Sequence, residues 1–220
     1  MLKLYCHPFA SFCQKALIAL YEKELAFEPV LIDLGDPEHR ARLQSVWPMV
    51  KFPVLRDEAA ARIIPESSLI IEYVDGLGPD GKRMIPENAA AALQARLWDR
   101  FFDGYVAVNV TKIVVDRLRP EGRGDPDGVA QAKATIVQAF ALFEREIAGR
   151  EWAIGNRFGL ADCAAAPTLF YAGTIVPLDG YPHLKSYYER LLARPSFARV
   201  VEEARPYRGL YPLPWPASYH

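Results

Sequence analysis

The spacing of apolar residues changes character near residue 88, and that change sets what this chain can fold into. Before it, two-residue alternation is interleaved with spacing of three to four; after it, only the helical spacing remains. Leu2, Leu4 and Cys6 alternate and predict a first strand, which Pro8 ends. From Ser11, a candidate N-cap or first-turn residue, Phe12, Ala16, Ala19 and Leu20 mark one side of a helix. A second strand is expected over 27–32 and a short helix over 38–46. Strands over 54–56 and 62–64 flank the acidic turn Asp57-Glu58, and a helix follows over 67–74. The order βαβα then ββα describes an α/β unit, residues 1–76, with a parallel portion and an antiparallel hairpin.

Gly76-Leu77-Gly78-Pro79-Asp80-Gly81 carries turn chemistry without a core and begins a linker over 77–87. An all-helical unit is expected over 88–206. Leu93, Leu97, Phe101, Tyr105 and Val108 predict one long helix, and Val129, Ala132, Ile136, Phe140, Phe143 and Ile147 a second, packed antiparallel. An apolar helix over 160–172, bent at Pro167, and shorter ones over 183–192 and 196–204 complete it. The tail, 207–220, is rich in proline and aromatic residues and is expected to be irregular. Its Tyr211, Trp215 and Tyr219 should lie over the helical unit or a cleft.

A chain of 220 residues, 51% of them hydrophobic, can supply two modest cores. A net charge of -1 gives no global electrostatic case for nucleic acid or acidic lipid. No apolar run is long enough to span a bilayer, and the start lacks a signal-peptide pattern, so a cytoplasmic location is expected, with no membrane partner. Cys6, Cys13 and Cys163 supply neither a disulfide framework nor a closed zinc site, so no metal is expected.

The chemistry concentrates in two stretches. In Lys51-Phe52-Pro53-Val54-Leu55 a proline stands directly ahead of a short apolar strand. It is tolerated there if the Phe52–Pro53 bond is cis, a tight turn that leaves the Phe52 backbone unpaired and free to meet an extended peptide. Glu66-Ser67-Ser68 then opens a helix whose first N–H groups are free and whose positive end attracts a carboxylate. Together they describe a small-peptide site at the edge of a sheet.

With Gly155-Asn156-Arg157-Phe158-Gly159-Leu160-Ala161-Asp162, these stretches resemble, in order and spacing, the cytosolic glutathione S-transferase family in its bacterial-like, serine/cysteine-type form. The resemblance implies the GST fold: a thioredoxin-like domain followed by an all-α domain. It implies that Phe52, before the cis Pro53, holds the cysteinyl part of glutathione through its backbone. It further implies that Glu66 and Ser67 hold the γ-glutamyl end, that Lys51 reaches the glycine carboxylate, and that Asp162 is a structural helix-start residue. Gly159 stands where the family usually has Ser or Thr, so only the Asp162 half of a capping box can form.

In the catalytic segment, Cys6 falls where tyrosine-type members carry their tyrosine, Ala10 where many serine-type members carry theirs, and Ser11 one position on. Ser11 is the first candidate for catalysis, donating to the glutathione sulfur. Lowering a thiol near 8.5 by about two units needs roughly 2.7 kcal/mol, the order of one charged hydrogen bond plus free helix N–H groups. Cys6 is the rival, acting through a mixed disulfide. The implied reaction is conjugation of the thiolate to a small, largely apolar electrophile in a detoxification role. The electrophile pocket is expected near Tyr105, Val108, Thr111 and Lys112. The alternatives are a glutathione-dependent reductase, isomerase or peroxidase, or a non-enzymatic binding module. A two-fold homodimer is expected, joined through the helix from Ser67 and the long helix from Asn88, with Trp98, Phe101 and Phe102 exposed.

Overall fold

The β1 strand, Leu2–Cys6, sends alternate side chains to two different cores. Leu2, Leu4 and Cys6 pack with Leu55 against α1 (Ser11–Glu22) and α3 (Ser67–Asp75). Tyr5 and Val54 face the other way, onto Ile32 and the Leu43 and Val46 of α2 (Pro37–Val46). The period of two thus makes a sheet covered on both sides. Its strand order is β2–β1–β3–β4, with β2 at Phe27–Leu31, β3 at Val54–Asp57 and β4 at Arg62–Pro65. The β1–β2 pair is parallel; β1–β3 and β3–β4 are antiparallel. This computed structural model describes residues 1–78 and 83–216; part of the expected linker and Tyr219 lie outside them.

The helical half comprises α4 (Ala89–Phe101), α5 (Val108–Arg117), α6 (Pro126–Ile147), α7 (Leu160–Ala172), α8 (Pro182–Ala193) and α9 (Pro195–Ala204). Every residue of α7 is buried, which its run of alanines permits: small side chains let α1 and α4 approach from both sides. Asp162 anchors its start, accepting from the N–H of Gly159 (2.8 Å) and Ala153 (2.9 Å) and from the Tyr187 hydroxyl (2.6 Å). Gly159 has no side chain to return the bond. A Cβ there would overlap the carbonyl oxygen of Met84, which accepts from Leu160 N–H at 3.0 Å.

Three expectations need correction. The long helix from Asn88 is interrupted by a π-helical turn, Phe102–Ala107, between α4 and α5. Trp98, Phe101 and Phe102 are buried rather than exposed, packed edge-on around Phe143 of α6 or stacked near it. The tail begins regularly: Arg205–Leu210 forms a 3₁₀ helix before the chain becomes irregular. Tyr211 and Trp215 then lie against Phe9 and Tyr171, covering the loop between β1 and α1.

Candidate active site

A cleft of about 260 Å³ opens at the end of the sheet nearest the helical half. Lys51, Phe52, Pro53, Glu66 and Ser67 line it, with Phe12 from α1 and Val108 from the start of α5. The Phe52–Pro53 peptide bond is cis. The β1–β3 and β3–β4 ladders both stop at Val54, so the Phe52 backbone lies beyond the paired register. Lys51 is exposed at the cleft.

Glu66 is the N-cap of α3 and has φ 69° and ψ 122°. That positive φ costs an L-residue on the order of 1 kcal/mol, and strain of this kind collects at ligand clamps. Its carbonyl closes the first helical turn by accepting from Ile70 N–H at 2.9 Å, while no side chain caps the helix. The first N–H groups of α3, beside Ser67 at the cleft, thus receive no bond from the N-cap side chain, and no acidic residue occupies the first turn. Ser67 is buried and Glu66 exposed, so a hydroxyl and a carboxylate flank that positive end.

Ser11 is the first residue of α1; the N-cap is Ala10, and no side chain caps this helix. Ser11 is half-buried and immediately precedes Phe12. Its loop is fixed from two sides: the Tyr171 hydroxyl of α7 donates to Phe9 O at 2.7 Å, and Gln14 Nε2 of α1 donates to Pro8 O at 2.9 Å. Neither Ser11 nor Cys6 lines the cleft itself.

Cys6 is 2% exposed, and burial, with Glu203 behind it, pushes its thiol up to about 12. A thiol held that firmly protonated is a poor nucleophile, which weighs against the expected mixed-disulfide role. Burial likewise raises Cys13 and Cys163 well above the usual thiol range. His7 is lowered by its partial burial, against the pull of Asp33, and its Nδ1 accepts from Phe9 N–H at 3.2 Å.

Of the expected electrophile pocket, only Val108 reaches the cleft. Tyr105, 58% exposed, faces an outer groove between α4 and α6 with Leu97, Phe101 and Leu142. Lys112 lies 4.0 Å from Asp125, the N-cap of α6. The π turn explains the split: i→i+5 bonding advances less per residue than an α-helix, so the expected common face breaks within it. Phe12, Trp47 and Pro65 join the lining without having been singled out. The available signal was Trp47-Pro48 just upstream of Lys51, where Val50 N–H donates to Trp47 O and takes φ 53° to turn the chain toward the cleft.

Residues 4–82 match the model of the glutathione S-transferase N-terminal domain, and residues 126–190 that of the C-terminal domain. The chain belongs to the glutathione S-transferase family. Glutathione S-transferase GstB of Escherichia coli K12 is 29% identical, over 91% of this chain and 98% of that protein. Glutathione S-transferase 3 of Zea mays is 28% identical, over 99% and 97%. A glutathione S-transferase from Methylobacillus flagellatus, solved with glutathione bound, is 25% identical with a TM-score of 0.84, covering 91% and 98%.

The GST fold thus has its two parts in the order this family requires. Among the described residues of this family member, no group of three or more His, Cys, Asp or Glu could hold a metal ion. Among those residues, no helix is long and apolar enough to cross a membrane.

Proposed function

We propose that this protein is a glutathione transferase that joins the glutathione thiolate to a small, largely apolar electrophile. The observation that carries this reading is the convergence of Lys51, Phe52, Glu66 and Ser67 on one cleft beside the start of α1. Each answers one part of an extended anionic tripeptide. Backbone beyond the ladder at Phe52 pairs the cysteinyl unit, as an added strand would. Ser67 and the α3 N–H groups take the γ-glutamyl carboxylate, Glu66 its ammonium, and Lys51 the glycine carboxylate. Glutathione bound to the Methylobacillus relative supports the same ligand here.

Ser11 is the residue assigned to catalysis. Its hydroxyl is not spent on capping α1, and it stands with free N–H groups where the helix dipole favours an anion. It donates to sulfur and so favours thiolate. The thiolate attacks the electrophilic carbon; a C–S bond forms, and the leaving group departs with the bonding pair. The proton lost on ionisation passes to solvent. Residues 1–76 hold glutathione and 88–206 supply the electrophile wall at Val108, with Tyr211 and Trp215 of the tail beside the loop that carries Phe9. Deeply buried thiols disfavour the reductase alternative.

The functional unit is a cytoplasmic homodimer. Its support is the apolar surface of α3 and α4, where Leu69 (52%), Leu93 (66%) and Leu97 (50%) are exposed beside Tyr105. The test is product formation from glutathione and a panel of aryl halides, epoxides, enones, peroxides and mixed disulfides. Thioether products alone support conjugation. Turnover only of disulfides or peroxides replaces it, and no glutathione binding at all ends it.

A further inference from the structure

Lys15 is 1% exposed, and its ammonium is shared among α3, α4 and the π turn behind the cleft. It stands on α1 one turn after Ser11. Its Nζ lies 2.6 Å from Asp99 Oδ1 at the end of α4 and 2.7 Å from Asp103 Oδ2 in the π turn. It also lies 2.9 Å from the hydroxyl of Ser68, the second residue of α3 and neighbour of Ser67. Ser68 in turn donates to Asp99 Oδ2 at 2.8 Å. Arg100 closes the cluster from the solvent side, its Nη2 2.6 Å from Asp103 Oδ2 and 2.7 Å from Ser68 Oγ.

Stability alone is a weak reason for this arrangement. Desolvating a lysine and two aspartates costs several kcal/mol per ion, and apolar side chains of similar volume often do as well or better. What the ions add is direction. Each bond from Lys15 has a required length, so the starts of α1 and α3 and the π turn that delivers Val108 are held at set separations. Asp103 and Val108 belong to the same continuous helical run, so a shift of the aspartate carries the cleft wall with it.

We propose that Lys15 is a positioning residue of the glutathione site, holding the start of α1, where sulfur is stabilised, in register with the start of α3, where the γ-glutamyl end is bound. The inference rests on the transferase reading above and extends it to a residue that touches no substrate. Catalysis of this kind is sensitive to misplacements of about 1 Å, so a loosened Lys15 cluster weakens both ends of the site together.

The test compares wild type with Ser68→Ala, Lys15→Met and Lys15→Arg, well below each protein's unfolding midpoint. Two quantities are read: the Kd for glutathione, and the thiol pKa of bound glutathione from thiolate absorbance against pH. Ser68→Ala keeps both contacts of Lys15 to carboxylates, so it decides the matter even if Lys15→Met does not fold. The expected result is about tenfold weaker binding for Ser68→Ala together with a raised thiol pKa. A folded Lys15→Met shows the same pair of changes more strongly, and Lys15→Arg recovers part of the loss. If thermal stability falls while Kd and thiol pKa stay at wild-type values, Lys15 is structural only and the proposal is overturned. A wild-type protein that fails to bind glutathione overturns the transferase reading first, and this one with it.

Discussion

Tyr105 and Val108 lie three residues apart in one continuous helical run, yet they border different surfaces. Tyr105 sits with its ring 5.5 Å from that of Phe101, over the outer groove; Val108 borders the cleft with Phe52 and Ser67. On an α-helix such a pair shares a face. The π turn between Phe102 and Ala107 breaks that rule and so divides one sequence stripe between the cleft and the outer groove.

A substitution at each position should therefore have a different consequence. Val108→Glu puts a charge against the apolar electrophile, and the KM for that substrate should rise about tenfold or more. Tyr105→Ala should leave KM unchanged in steady-state assays on the assembled protein. Equal effects from both would show that the two residues act on one site.

Leu97→Glu should convert the dimer to a monomer in sedimentation velocity at micromolar concentration, because it places a charge in the middle of the exposed apolar surface of α4. A wild-type protein that sediments as a monomer refutes the dimer directly.

Ser11→Ala should lower kcat/KM by about 1–3 kcal/mol in transition-state stabilisation, with little change in glutathione affinity. The thiol pKa of bound glutathione should rise. Ser11 caps no helix, so the thermal midpoint should move little; a large fall in stability with an unchanged thiol pKa would return Ser11 to a structural role.

Cys6→Ala should keep conjugation activity at a stability cost of about 1–2 kcal/mol for the vacated buried volume, read by urea unfolding. In the native protein, Cys6 raised to about 12 should resist iodoacetamide at pH 8 and react once unfolded. Loss of all turnover in this variant would revive the disulfide route.

Burial raises the Asp162 carboxyl to about 6, against the hydrogen bonds from Ala153, Tyr187 and Gly159 that pull it down. The fold therefore favours its protonated form. Stability from this group is complete below its unfolded value near 4 and is lost as pH rises through about 6, by up to about 3 kcal/mol. The stability gap between wild type and Asp162→Asn should accordingly be wider at pH 4 than at pH 7 in urea melts. A gap that does not change with pH would mean that the Asp162 carboxyl titrates alike in the folded and unfolded protein.

The order of strands and helices was readable because burial on one or both faces imposes its period on the chain. Leu2, Leu4 and Cys6 declare β1, and Val129 through Ile147 declare α6, before any contact is known. The convergence of Phe52-Pro53 and Glu66-Ser67 on one cleft was readable for a related reason. They offer backbone and helix-start groups, whose geometry is local to a few residues. What required the tertiary structure was everything set by packing between distant segments. Whether Phe101 is core or surface depends on Phe143, 42 positions away, because amphipathic spacing marks a face without naming its cover. The fate of Cys6 depends on how completely α1 and the sheet exclude water, and that of Lys112 on the Asp125 at the start of α6. The π turn contains Gly104, but one glycine does not distinguish a π turn from an α-helix, and the apolar spacing runs through it. Nothing in the helical spacing sets Lys15 apart from other cations; only the meeting of α1, α3, α4 and the π turn makes it a buried charge with three partners.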